Sequence, residues 1–295
     1  MITKPDILPI PIIPPLPEVC QIEVSSLCNY NCIMCPTPFF PRKDKTKFID
    51  TTLVKKIVDQ GDLDASYFVE LQMSGEPLMH PDIEPIIDMV KSTGVLVGMS
   101  TNGSLLTQKL EAIKKLDYLT VSIDSLSNYE KIQVKGNKEQ ILWNLEHLIG
   151  IAQKYNVTVD LQLIELEGWE EEKEKLEQMY GHFFNIRSYP NCYLPYFFPE
   201  IPLPTSTDLC LNPWLSVSVA CTGNVTACCI AQGDDIQLGN LKEQTLKEVW
   251  QGKEVQKLRE EQITRTYRPV CAKCYMRSPV LFHWHLYLQS IKKRY

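Results

Sequence analysis

EVCQIEVSSLCNYNCIMCP, residues 18–36, is the stretch that decides how this chain folds. Its first half, EVCQIEVS (18–25), is rich in β-branched residues and reads as a strand. Its second half is a polar loop that carries Cys28, Cys32 and Cys35. A closed structural metal site wants four protein ligands, whereas this loop supplies three and no further Cys or His follows nearby. Three thiolates on a cubane iron–sulfur cluster leave one iron open to an outside ligand. A zinc knuckle, or three reduced thiols in a loop, are the plain alternatives, and the loop's position directly after a strand speaks for the cluster.

Working outward, short β-branched runs recur at SYFVELQMS (66–74), VLVGMS (95–100), YLTVSID (118–124) and VTVDLQLI (157–164), with HFFNIRSY (182–189) as a sixth. Between them the sequence has helical periodicity over 51–60, 82–93, 105–116, 137–155 and 169–180, and Gly61 and Gly94 stand as stops just past two of these helices. Such alternation predicts a parallel sheet with crossover helices, an open six-stranded relative of the α/β barrel. Ligands of such sheets sit at the carboxyl ends of the strands. Three small polar segments fall there: Ser74-Gly75-Glu76-Pro77, Ser100-Thr101-Asn102-Gly103 and Ser122-Ile123-Asp124. Each alone would pass for a turn. Their order behind successive strands, downstream of the cysteine loop, makes them specific.

The CxxxCxxC loop followed by these segments resembles the signature of the radical S-adenosylmethionine (SAM) superfamily. The resemblance implies an α/β fold, a partial (β/α)6 barrel of the radical SAM type. Cys28, Cys32 and Cys35 would hold a 4Fe-4S cluster whose open iron is chelated by the amine and carboxylate of SAM. Gly75, Glu76 and Pro77 match the segment that hydrogen-bonds the SAM amine. Ser100, Thr101 and Asn102 match the one that contacts its ribose and methionine moiety, and Ser122 and Asp124 match a further family position. Met34 stands where an aromatic residue is usual near the adenine, and its thioether is expected to pack on that ring. Near Gln133 the family often has an arginine that would pair with the SAM carboxylate; Lys131 or Lys135 is expected to compensate. The implied chemistry is cleavage of SAM to methionine and a 5'-deoxyadenosyl radical, which abstracts hydrogen from an unactivated C–H bond.

A second constellation lies C-terminal. Cys210 precedes Trp214 and the alternating LSVSVA (215–220); Thr222-Gly223-Asn224 reads as a turn, and NVTACC (224–229) returns the chain so that Cys228 comes near Cys210. A helical stretch from LKEQTLKEVW (241–250) leads to Cys271 and Cys274, whose spacing suits two ligands of one centre. Zinc is the plain alternative for these four thiols, although zinc ribbons usually pair two close knuckles. The segment resembles the SPASM or shorter twitch domain of radical SAM enzymes, which implies an auxiliary 4Fe-4S cluster on Cys210, Cys228, Cys271 and Cys274. This small β-hairpin/helix module completes the expected fold. Of the other cysteines, Cys20 is expected in the core and Cys229 on the strand face opposite Cys228. Cys221 has no assigned role. Some radical SAM epimerases return a hydrogen atom from a cysteine thiol, and Cys192, where the last barrel loop meets the C-terminal module, is the candidate donor beside a plain packing thiol.

A formal net charge of −6 argues against a nucleic-acid footprint, and no apolar run is long enough to cross a bilayer. Residues 1–18 carry six prolines within their apolar stretch, unlike a signal peptide. With eleven cysteines, a cytoplasmic, reducing setting makes metal ligation more natural than disulfides. The acidic run at 165–178, the basic one at 42–47, and His283 and His285 read as solvated or packed side chains. The expected organisation is a proline-rich arm (1–17), the barrel (18–204), the SPASM/twitch-like domain (205–280) and a tail (281–295). The expected partners are a peptide or small-molecule substrate, a flavodoxin- or ferredoxin-type reductant and a separate peptide-presenting protein. A bare iron–sulfur electron carrier is the non-catalytic alternative, and the SAM-contacting segments speak against it.

Overall fold

The computed structural model describes residues 13, 15–37, 46–191, 209–229, 236–272 and 274. Cys192, the proline-rich arm through residue 12, most of the basic run at 42–47, and the C-terminal tail with His283 and His285 lie outside the described residues.

Six parallel strands follow the predicted runs: β1 (Val19–Ile22), β2 (Phe68–Glu70), β3 (Leu96–Thr101), β4 (Tyr118–Ser122), β5 (Thr158–Glu165) and β6 (Asn185–Pro190). Helices α1 (Thr51–Asp59), α2 (Ile83–Lys91), α5 (Lys138–Tyr155) and α6 (Trp169–Tyr180) fall where periodicity placed them. Between β4 and α5 lies the short α4 (Tyr129–Ile132). The expected helix over 105–116 is instead a 3-10 turn, Leu106–Gln108, and the short α3, Leu110–Ile113. Asn144 Nδ2 on α5 donates to the carbonyls of Gly103 (2.7 Å) and Ser104 (3.2 Å) at the start of this segment, a contact from a distant helix that helical periodicity does not show.

Alternation along the strands separates two faces. Cys20, Ile22, Val69, Leu71, Val97, Met99, Leu119, Val121, Leu161 and Leu163 pack with the helices in the main core, and Cys20 is fully buried there as expected. The opposite face is the inside of the open barrel, and it is layered. At the amino ends of the strands Val19, Tyr67, Phe68 and Tyr118 form a separate apolar plug with Leu96. Gly98 is required here, because a Cβ would stand 2.3 Å from the Phe68 ring. Above the plug the lining becomes polar. Ser100 Oγ (2.8 Å) and Gln21 Nε2 (2.9 Å) donate to Glu70, and Ser218 Oγ donates to Gln21 (2.8 Å). Across the barrel the buried Asp160 accepts from Tyr118, Arg187 and Asn185.

The C-terminal hairpin forms as predicted, β7 (Ser216–Val219) antiparallel to β8 (Asn224–Thr226), with a further strand β9 (Gly239–Asn240). What the sequence did not signal is where it docks. β7 pairs in parallel with β1, so a single sheet runs β6-β5-β4-β3-β2-β1-β7-β8-β9. Lys56 on α1 adds a polar bracket, donating to the carbonyls of Leu241 (2.7 Å) and Lys242 (2.9 Å). The β8 ladder ends at Thr226, which puts Cys228 and Cys229 beyond the strand. The expectation that Cys229 faces away by strand alternation therefore does not hold.

Candidate cluster and cofactor site

After β1 the chain passes Glu23 to Ser26 and enters the cysteine loop. The loop is pinned from both sides: Ser26 Oγ donates to the Thr46 carbonyl (2.6 Å), while the backbone N–H groups of Asn31 and Ile33 donate to the carbonyls of Val134 (2.9 Å) and Ile132 (3.0 Å). Cys28, Cys32 and Cys35 line one cavity of about 230 Å³ at the carboxyl ends of the strands. Met34, Gly75, Glu76, Ser100, Thr101, Asn102, Ser122 and Asp124 line the same cavity. Pro77 does not; it opens the buried 3-10 turn Pro77–Met79 behind it.

The segment containing Gly75 lies backbone to backbone on the cysteine loop. Gly75 has φ +73°, and a Cβ there would sit 2.3 Å from the Ser25 carbonyl oxygen. Only glycine permits that approach. Glu76 N–H then donates to the Leu27 carbonyl at 2.6 Å. The Glu76 carboxylate accepts from Thr101 Oγ1 (2.7 Å), Asn102 N–H (2.7 Å) and Leu78 N–H (3.1 Å). Its main geometric work is thus to tie the loop after β2 to the loop after β3. Burial pushes its pKa up to about 7 against the pull of those hydrogen bonds. Asn102 continues the network, donating from Nδ2 to Asn29 Oδ1 (2.8 Å) and to Cys28 Sγ (3.7 Å).

Asp124 is buried at the end of β4, where its carboxylate accepts from Ile164 N–H (2.8 Å) and burial pushes it up to about 7. Gln133 also lines the cavity. It donates to the Ser122 carbonyl (3.0 Å) and accepts from Asp124 N–H (3.1 Å), so it braces the β4 loop. Neither Lys131 nor Lys135 is among the lining residues, and the expected compensation for the missing arginine is not found there. Gln72, Met73, Ile164 and Asn191 line the cavity and were not singled out from sequence. Their strand-end positions were the available signal.

The thiols suit a metal group. Cys28 is open to solvent on one side, but the protein around its sulfur pushes its pKa up to about 11, and burial raises Cys32 further. A cluster binding here would displace protons from both. Tyr30 N–H (3.4 Å) and Asn102 Nδ2 already point at Cys28 Sγ, which a thiolate would strengthen.

Cys210, Cys228, Cys271 and Cys274 line a second, mainly apolar cavity with Pro213, Ala227, Ile236, Leu258 and Val270. Cys210 precedes the short helix Asn212–Leu215, and Cys271 lies in the helix Pro269–Ala272 with Cys274 one turn on, its N–H bonded to the Cys271 carbonyl (3.2 Å). Four thiols around one mainly apolar cavity are the donor set a saturated cluster needs. Among the described residues no three His, Cys, Asp or Glu side chains converge as ligands of a single ion.

Glu23, just past β1, ties the loop after β2 to the turn of the C-terminal hairpin. Fully buried, it accepts from the Ser74 hydroxyl on one side and from Cys221 N–H (3.0 Å) on the other. The Cys221 thiol donates to the Thr46 carbonyl at 3.4 Å, which gives this cysteine a structural place.

A family model described as the radical SAM superfamily matches residues 22–174, more than half of the chain. The chain belongs to the radical SAM superfamily. A second model, the SPASM iron–sulfur cluster-binding domain, matches residues 210–275. The cofactors of this radical SAM enzyme are accordingly a SAM-binding 4Fe-4S cluster, SAM itself and an auxiliary iron–sulfur cluster. A SAM-dependent nucleotide dehydratase of Selenomonas ruminantium is 30% identical over 151 residues, 48% of this chain and 54% of the relative, so the match spans about half of that protein. Among solved structures, BtrN in complex with AdoMet and 2-DOIA superposes with a TM-score of 0.60 at 19% identity, covering 88% of this chain and 93% of BtrN. Streptococcus suis SuiB bound to the precursor peptide SuiA does so with a TM-score of 0.58 at 14% identity, covering 89% and 70%. These structures share the fold. No helix among the described residues of the radical SAM enzyme is long and apolar enough to cross a membrane.

Proposed function

We propose that the enzyme cleaves SAM reductively at its N-terminal cluster and uses the 5'-deoxyadenosyl radical to take hydrogen from an unactivated C–H bond of a ribosomally made peptide, in an epimerisation, crosslinking or backbone rearrangement. The observation that carries this is the convergence of Cys28, Cys32 and Cys35 with the three strand-end segments on one cavity. Cys28, Cys32 and Cys35 hold the cluster. Gly75, Glu76 and Pro77 fix the backbone that receives the SAM amine, with Ser100, Thr101, Asn102, Ser122, Asp124 and Met34 around the rest of the molecule. Cys210, Cys228, Cys271 and Cys274 hold the auxiliary cluster. The barrel is taken as 18–204 and the cluster domain as 205–280.

A peptide substrate is supported by the inside of the barrel. Gln21, Glu70, Ser100, Asp160 and Arg187 place polar groups above an apolar floor. The SuiB neighbour holds a precursor peptide. A flavodoxin- or ferredoxin-type protein supplies the electron, and a separate protein presents the peptide. A second reading, oxidation or epimerisation of a small aminocyclitol or sugar, is favoured by the same lining, since the Glu70 and Asp160 carboxylates suit a hydroxylated amine. Cys192 is the proposed hydrogen donor for an epimerisation; its neighbour Asn191 lines the cavity.

The test uses anaerobically reconstituted protein, SAM, a reductant and candidate substrates deuterated at the reacting carbon. Label should pass to 5'-deoxyadenosine. In a parallel run with unlabelled substrate in heavy water, epimerisation adds one solvent deuteron to the product and stalls in Cys192→Ala, whereas an oxidation adds none and leaves that variant active. Turnover of aminocyclitols and of no peptide would replace the first reading with the second.

A further inference from the structure

The helix Lys253–Thr264 turns Val255, Leu258, Arg259 and Gln262 inward. Leu258 and Gln262 line the four-cysteine cavity. Arg259 is bound to a third lining residue, donating from Nε to the Pro213 carbonyl (2.8 Å), and from Nη1 to the Trp250 carbonyl (3.2 Å), with its guanidinium 4.5 Å from the Trp250 ring. It is 4% exposed. Nη2 of Arg259 and Oε1 of Gln262 are buried with no hydrogen-bond partner among the described residues. No carboxylate pairs with Arg259 there either; burial is the sole cause that moves its pKa, down to about 10, so it is charged at neutral pH.

A buried cation that lacks a counter-charge is costly, and so is a buried amide oxygen without a hydrogen-bond donor. Both costs fall if the cavity beside them holds something negative with hydrogen-bond acceptors. A cluster ligated by four thiolates is such a group: it bears net negative charge, and its sulfurs accept hydrogen bonds. The two ends of a glutamine amide have nearly the same shape, so turning Gln262 over presents Nε2–H to the cavity.

We infer that Arg259 and Gln262 set the redox potential of the auxiliary cluster, the guanidinium as its buried counter-charge and the glutamine amide as a hydrogen-bond donor to one of its sulfurs. This rests on the proposed ligation of that cluster by Cys210, Cys228, Cys271 and Cys274. Reduction adds one negative charge, so a fixed positive charge and a sulfur-directed N–H stabilise the reduced state more than the oxidised one and raise the potential. The helix therefore makes the cluster a better acceptor of the electron that an oxidative reaction must discard.

The test is a potentiometric titration followed by electron paramagnetic resonance. It uses the full chain carrying Cys28→Ala, Cys32→Ala and Cys35→Ala, so that the auxiliary cluster alone gives the signal. Adding Arg259→Met should lower the reduced-to-oxidised ratio at a given poise about tenfold, which is about 59 mV for a one-electron couple. Gln262→Leu should shift it the same way by a smaller amount, and carries the test alone if Arg259→Met loses its cluster. Unchanged or raised potentials in variants that keep about four irons per chain overturn the inference and leave the cluster assignment standing. Zinc in place of iron in the parent chain overturns both.

Discussion

At the scale of single residues, Glu76 shows how a motif position can also hold together the loops around it. A carboxylate beside a flexible glycine invites an ammonium group, and here it also accepts from three donors of the protein. Burial lifts its pKa from 4.5 to about 7, and lifts that of Asp124 from 3.8 to about 7. A raised carboxyl pKa means that the folded chain binds the proton more tightly than the unfolded one. The associated stability is fully present below pH 4.5 and is lost as the pH rises through about 7. Glu76→Gln should flatten that decline by on the order of 3 kcal/mol in stepped-pH urea unfolding of the metal-free chain. Parallel pH curves for variant and parent would remove Glu76 as its source. The glycine that brings Glu76 into place was readable as a motif; the carbonyls of Ser25 and Leu27 that demand it were not, because they belong to a different strand end.

At the scale of elements, periodicity found the strands and long helices but could not see side chains that cross between them. The acidic run at 165–178 does form α6 with a solvated face, and Glu172 is its exception. Buried, it accepts from the N–H groups of Leu126 (2.5 Å) and Ser127 (3.0 Å) and from Lys175 Nζ (2.7 Å), anchoring the loop after β4. Burial alone would raise its pKa; the hydrogen bonds from Lys175, Ser127 and Leu126 outweigh it and bring the value down to about 2. That stabilisation is complete above pH 4.5 and is lost as the pH falls toward about 2, the opposite window from Glu76. Glu172→Ala leaves two N–H groups without their acceptor and should cost about 1–3 kcal/mol at neutral pH, read as a lower urea midpoint. A barrel floor packed around Gly98 gives a second expectation. Gly98→Ala forces the Phe68 ring aside and should cost about 1–3 kcal/mol by overpacking, with a matching fall in Tm. An unshifted Tm would mean that the ring moves freely and that the plug is loosely packed.

At the scale of the whole molecule, the pairing of β7 with β1 puts the barrel and the C-terminal hairpin in one sheet, and Glu23 joins the loop after β2 to the hairpin turn. The protein should hold about eight irons per chain after anaerobic reconstitution. Cys28→Ala with Cys32→Ala and Cys35→Ala should remove about half of them and abolish SAM cleavage. Cys271→Ala should still form some 5'-deoxyadenosine while losing product, provided that circular dichroism shows a folded chain. Loss of all SAM cleavage in a folded variant with its first cluster intact would refute this division of labour.

The sequence by itself determined the six-strand alternation, both cysteine sets and the three polar strand-end segments. These are local signals, in which periods of two and 3.6 residues mark the elements and short spacings mark the ligands. Only the tertiary structure decided which groups share a cavity and which are consumed within the protein. Gln133 turned inward to brace the β4 loop, Glu76 tied two loops together, and Arg259 came to lie buried against Trp250 with no carboxylate paired to it among the described residues. Each outcome joins residues distant in the chain, and a side chain's hydrogen-bond partners across a sheet or between helices leave no periodic trace in the sequence. The docking of β7 on β1 is the largest case: both are short strands with many possible neighbours, and the contacts that accompany their parallel pairing, from Lys56 to Leu241 and from Cys221 to Glu23, join residues far apart in the chain.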